Sequence, residues 1–178
     1  MIRKAILTGV AVLGLAAAAH AQPMNGMRGG DGEGMTTDFI TKAAQSDEFE
    51  RGEGRLAETR SHNPHVKQFA AMMVSAHTKT TEGLKSAIRH AGMTPPPPPA
   101  LTDDQMHMMA DLKGMHGRDF DKAYIDQQVQ AHTDTLGVMQ NYAQNGHPGP
   151  IKDAAIKTTP LVQHHLDMAK DIQGHMGG

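Results

Sequence analysis

The chain has no cysteine and no tryptophan, and its tyrosines and phenylalanines together number only six. Without cysteine there can be no disulfide framework, no thiol nucleophile and no lipid-carrying cysteine behind a leader. Scarce aromatics argue against a β-sandwich, whose strands favour aromatic and β-branched residues. Beyond the N-terminus no apolar run is long enough to cross a bilayer. Neither sign of charge dominates, with 17 basic and 19 acidic residues. If Arg3 and Lys4 are lost with a leader, the formal charge becomes −4. That argues against nucleic acid or an anionic membrane surface as partner. Gly-x-Ser-x-Gly and Walker-type loops are both missing.

What is present begins with a leader. Arg3 and Lys4 precede an apolar run from Ala5 to Ala19, and Ala19-His20-Ala21 reads as a small-x-small cleavage site. Residues 1–21 are therefore expected to be a signal peptide, and the protein to be periplasmic or secreted. Residues 22–36 are rich in Gly and Met and are expected to form a flexible arm. Residues 37–174 are expected to form a single bundle domain.

Helical periodicity runs through that domain. Phe39, Ala43, Glu50, Gly54 and Ala57 mark the stripe of a first helix, starting near Thr37. Gly52 and Gly54 within it suit a close approach by a neighbouring helix. Asn63-Pro64 combines a good N-cap with a good first residue and starts a second helix, with stripe Phe69, Met73, His77, Leu84 and Ile88. A long connection carries five prolines, Pro95–Pro99, then the capping-box signature Thr102-Asp-Asp-Gln105 and a short helix over Met106–Lys113. The third helix follows Gly117, with stripe Asp121, Ile125, His132, Leu136, Met139 and Ala143. The fourth has Ala155, Val162, His165, Ala169 and Ile172, and Pro160 should kink or split it. Short, long and short connections predict an all-α, antiparallel four-helix bundle of ferritin-like type, with the long crossover and its short helix between helices two and three.

One pattern recurs three times: Val74-x-x-His77, Val129-x-x-His132 and Val162-x-x-His165. Residues three apart share a helix face, so each histidine lies on a stripe. At about 1.5 Å rise per residue, Glu50, His77, His132 and His165 all fall within several Å of mid-height. One carboxylate and three imidazoles from four helices form a candidate site for one transition-metal ion, Cu, Zn or Fe. A classical di-iron centre does not fit, because it needs Glu three residues before a histidine and valine stands there instead. Methionine is abundant at 14 residues. Met106-His-Met-Met109, Met115-His116 and His175-Met176 also offer thioether and imidazole, a combination suited to copper. The competing expectation is a metal-free structural or protein-interaction module of the periplasm whose histidines tie helices together. No catalytic residue stands out, so a classical enzyme is not expected. No protein partner is named by these patterns, and a homo-oligomer is compatible with them.

From Phe39 to about Lys170 the chain resembles a bacterial secreted ferritin-like family of unknown function, whose members are often labelled outer membrane proteins. Glu50-x-x-x-Gly54-Arg-Leu-Ala57, Val66-Lys-x-Phe69-Ala-x-x-Met73-Val, His77-Thr, Phe120-Asp-x-x-Tyr124, His132 and Pro160-x-x-x-x-His165-Leu carry the resemblance. It implies an exported four-helix bundle with His77, His132 and His165 as the family-pattern histidines, and it implies no established activity. His164, where Glu is common, the Met-rich crossover and the proline run depart from that pattern.

Overall fold

The computed structural model describes residues 28–176, with side chains from residue 32 onward. The expected signal peptide and the front of the arm lie outside the described residues. Among the described residues the protein is all-helical, without a strand. Its helices are α1 (Arg28–Arg60), α2 (Pro64–His90), α3 (Asp103–Gly114), α4 (Gly117–Asn145) and α5 (Pro150–Met176).

The capping chemistry read from the sequence sets the boundaries. The Asn63 side chain accepts from the His65 N–H at 2.9 Å, and Pro64 opens α2. Gly92, at φ +76, follows the end of α2. Thr102 and Gln105 form the reciprocal capping box at the start of α3, three residues ahead of the expected Met106. Gly117, at φ +58, opens α4.

One expectation is corrected. Residues 28–36, assigned to the flexible arm, are helical, so the bundle does not begin at residue 37. Tertiary contact from α4 outweighs the poor helix propensity of the glycines there. The Thr36 hydroxyl donates to the Gly32 carbonyl at 2.8 Å and receives the Tyr142 hydroxyl at 2.8 Å. One turn on, Phe39 stacks on Tyr142 with centroids 4.1 Å apart. Of the two outcomes expected at Pro160, a kink or a split, the split does not occur: α5 runs through it as one helix.

Each of the four long helices packs against two others, closing a ring in the order α1, α2, α5, α4. Three pairs fix the sense of α1 against α4: Thr36 with Tyr142, Ser46 with Thr135, and Glu53 with Gln128. Position rises on one helix as it falls on the other, so the two are antiparallel. Three residues join α1 to α2 and four join α4 to α5, which makes both pairs hairpins. The connection between α2 and α4 travels along α1. Gln45 binds the Ala100 carbonyl, the Met109 side chain fills the space above Gly52, and Arg60 binds the Lys113 carbonyl. Those α1 positions span about 22 Å of helix, so the connection covers much of the bundle's height.

Gly54 meets the expectation of a close approach. A Cβ there would lie 2.8 Å from Val74 Cγ2 and 3.1 Å from the Ala70 carbonyl oxygen of α2. The interior is divided in two. One apolar cluster contains Phe39, Ile88, Met139, Ile151 and Val162. The other contains Ala57, Phe69, Met73, Phe120, Tyr124 and Ala169. On every long helix buried polar residues fall between these clusters, and on α4 Asp121 lies instead among the residues of the second.

Candidate metal centre

The polar layer holds Asp47, Glu50, Glu53, His77, Gln128, His132 and His165, all buried. The structure brings together all four residues singled out in the sequence. The three imidazole centroids form an equilateral triangle, 5.5 Å on each edge. One ring nitrogen from each lies within 4.8 Å of the others. Glu50 Oε2 sits 2.5 Å from His77 Nε2 and 3.8 Å from His132 Nε2.

The outer atoms of these side chains are held in place. His77 Nδ1 donates to Asp47 Oδ1 at 2.9 Å. Asp47 is itself fixed by the Thr80 hydroxyl on Oδ1 and the Thr81 hydroxyl on Oδ2, each at 2.8 Å. His132 Nδ1 donates to the Gln128 backbone carbonyl at 2.9 Å, one turn back on α4. Ser46 donates to Glu50 Oε1 at 2.9 Å and takes the Thr135 hydroxyl hydrogen in turn.

The inner atoms, by contrast, lack hydrogen-bond partners. Glu50 Oε2, His77 Nε2, His132 Nε2 and His165 Nδ1 are all buried and unsatisfied. Glu50 Oε2 and His77 Nε2 are 2.5 Å apart and have no other partner, so when His77 is charged the two share its proton. Buried polar atoms without partners cost about 1–3 kcal/mol each. Glu53 Oε1 and Gln128 Oε1 are unpartnered in the same layer, and the four atoms of Glu50 and the histidines call for a common ligand.

Charge follows the same arrangement. Burial alone would raise the Glu50 carboxyl, but His132, His77 and the Ser46 hydroxyl bring it down to about 2. Burial would likewise depress His77, yet Glu50 and Asp47 lift it to about 10. His165 is lowered to about 3 by burial and by repulsion from His77 and His132, so it is neutral with a free lone pair. Glu53 is different. Burial pushes its carboxyl up to about 8, against the hydrogen bond from Gln128 and together with the charge of Glu50. It is a protonated acid one turn from Glu50, with Oε2 accepting from Gln128 at 2.8 Å.

The donor set suits a first-row ion. Tetrahedral coordination at about 2.0–2.1 Å places donors about 3.3 Å apart, so the imidazole nitrogens, within 4.8 Å of one another, would draw in by up to about 1.5 Å while Glu50 Oε2 and His77 Nε2, at 2.5 Å, would move apart. A divalent cation would balance the two carboxylates, Glu50 and Asp47. His77 with Asp47 has the carboxylate–histidine arrangement that fixes the tautomer of a metal ligand.

Asp47, Ser46, Gln128 and Thr135 were not singled out from the sequence. A signal for two of them existed. The α1 stripe jumps seven residues from Ala43 to Glu50, and Asp47 fills that gap. The α4 stripe jumps seven from Ile125 to His132, and Gln128 fills it.

No helix among the described residues is long and apolar enough to cross a membrane. No curated protein matches the chain. Among solved structures, a Streptomyces coelicolor protein assigned as a secreted DUF305 member is similar in fold, with a TM-score of 0.68 at 11% identity. The match covers 81% of this chain and 93% of that one. Over residues 19–172 the sequence matches DUF4142, a domain of unknown function, and the chain belongs to that family.

Proposed function

We propose that this protein is an exported, ferritin-like four-helix bundle that binds one transition-metal ion through Glu50, His77, His132 and His165, in metal handling or envelope stress. The observation that carries this reading is the convergence of four buried, unpartnered donor atoms, with the opposite sides of Glu50, His77 and His132 each held by a hydrogen bond. Three imidazoles and one carboxylate favour Zn, Fe or Cu over Ca or Mg, which prefer oxygen. Four buried protein donors leave no evident open position, the pattern of a holding site and not of a catalytic one. Valine, not glutamate, stands three residues before each of His77, His132 and His165, which supports a single ion over a di-iron pair. On the Met-rich crossover, Met109 packs over Gly52 and Met115 against the second apolar cluster, so two of its thioethers serve packing and not copper.

A specific contact favours the competing reading, a metal-free module. The close His77–Glu50 pair lets a proton stand in for the cation. The experiment that separates the two is metal analysis of untagged protein purified from the periplasm, with melting measured in EDTA and in excess Zn, Fe or Cu. Near-stoichiometric metal and a melting temperature raised by it support the centre. Identical melting in both conditions supports the module.

A further inference from the structure

The polar layer is enclosed on all sides by the ring of helices, so an ion must pass between two of them. Two clefts reach the layer from opposite faces, and they differ in charge. The cleft between α1 and α4, roofed by α3, has a volume of about 280 Å³ and ends on Ser46 and Thr135. Asp104 and Asp134 stand exposed at its mouth. The one lysine there, Lys42, is engaged by Asp38 at 2.8 Å. Asp134 accepts only from the neutral Gln130 amide, so its charge is not cancelled. The cleft between α2 and α5, of about 310 Å³, carries Lys79 and Lys157, and neither is ion-paired among the described residues. It ends on Asp47, whose two oxygens are already occupied by His77, Thr80 and Thr81.

We propose that a divalent cation reaches the Glu50–histidine layer through the α1/α4 cleft beneath α3, with the Ser46–Thr135 hydroxyl pair as the inner gate. This rests on the reading of the layer as a metal centre. The acidic mouth concentrates cations, whereas the lysines of the opposite cleft repel them. Inside, Thr135 donates to Ser46 and Ser46 to Glu50, so the oxygens form a ladder leading to the ligand carboxylate. Past Phe49, Met108 and Val138, which line the cleft walls, a cation can follow these lone pairs over the last step to Glu50. The lysine-lined cleft ends instead on Asp47, where His77, Thr80 and Thr81 already take three acceptor positions.

The test is the rate of Co(II) uptake by the full chain freed of metal, followed by visible absorption at several ionic strengths, with final stoichiometry measured separately. The double variant D104N/D134N lies at the surface and leaves the Thr102 cap of α3 intact. It should load about three- to ten-fold more slowly at low salt, with a flatter salt dependence and the same final occupancy. Thr135→Val, close to isosteric, should also load slowly to the same end point. K79Q/K157Q should load no more slowly than the parent. Equal rates for D104N/D134N and parent at every ionic strength, with normal final occupancy, overturn the route and leave the metal centre standing. Slower loading of K79Q/K157Q overturns it as well, placing passage on the other face. If no variant and no parent takes up Co(II), Zn(II), Fe(II) or Cu(II), the metal centre fails and the route fails with it.

Discussion

His77 is clamped between two carboxylates from one helix, with Nδ1 at 2.9 Å from Asp47 and Nε2 at 2.5 Å from Glu50. The two acids differ in what else they do. Asp47 is also held by two threonine hydroxyls, while Glu50 Oε2 faces His77 and His132 inside the layer. Asp47 therefore orients the ring and Glu50 shares its inner partner.

Asp47→Asn tests the orienting role. An amide keeps the size but no longer stabilises the Nδ1–H tautomer as a carboxylate does. Metal affinity should fall by about 10- to 100-fold, as for other outer-sphere partners of ligand histidines. Competition titration against a chromophoric chelator measures it. An unchanged affinity would remove Asp47 from the centre.

Glu50→Gln tests the charge balance of the metal-free protein. His77 is lifted to about 10 chiefly by Glu50, so losing that charge leaves a buried imidazolium poorly compensated. The loss of stability should reach about 3–5 kcal/mol near pH 6, by urea denaturation. Pairing the change with His77→Gln should recover part of it. Additive losses in the double variant would show that the two residues are not coupled.

Without metal, stability should fall as pH rises above 6.5. His77 is raised from 6.5 to about 10, so its contribution is complete below 6.5 and is lost as pH climbs through 10. Glu53, raised from 4.5 to about 8, adds a loss of the same sign between those values. His165, depressed to about 3, acts oppositely and costs stability as pH falls below 6.5. Metal reverses the alkaline trend, since binding expels the His77 proton and is favoured by its loss. The gap in melting temperature between metal-loaded and EDTA-treated protein should therefore widen from pH 6 to pH 8. A constant gap would contradict the His77 assignment.

Two glycine substitutions should act in opposite directions. At Gly54 a methyl group would lie 2.8 Å from Val74 Cγ2, so Gly54→Ala should cost about 1–3 kcal/mol despite its better helix propensity. At Gly137 nothing lies within 4 Å, and Gly137→Ala should stabilise by up to about 1 kcal/mol. Thermal melts of both variants check the pair.

Much of this arrangement was legible in the sequence because helices repeat. The stripes placed Glu50, His77, His132 and His165 correctly in the interior, and the Asn63-Pro64 and Thr102-Gln105 signals marked real caps. The start of α1 was not legible, since it depends on Thr36 and Phe39 meeting Tyr142, more than 100 positions away. The supporting residues Asp47, Gln128 and Ser46 were hidden for another reason. Asp47 and Gln128 fall on the buried stripes, but their polarity alone does not distinguish them from solvent-facing residues. A seven-residue gap in a buried stripe marks a polar residue that the interior has a use for.

The split interior has a consequence for register. Two apolar clusters of Leu, Ile, Phe and Met can tolerate a helix sliding lengthwise, because dispersion contacts have little directionality. The layer between them cannot. A slide of one turn along α4 would move Gln128 away from Glu53, Thr135 away from Ser46, and His132 out of the imidazole triangle all at once. The middle of the bundle thus works as a detent, with directional bonds selecting one alignment out of several that the oily ends would accept.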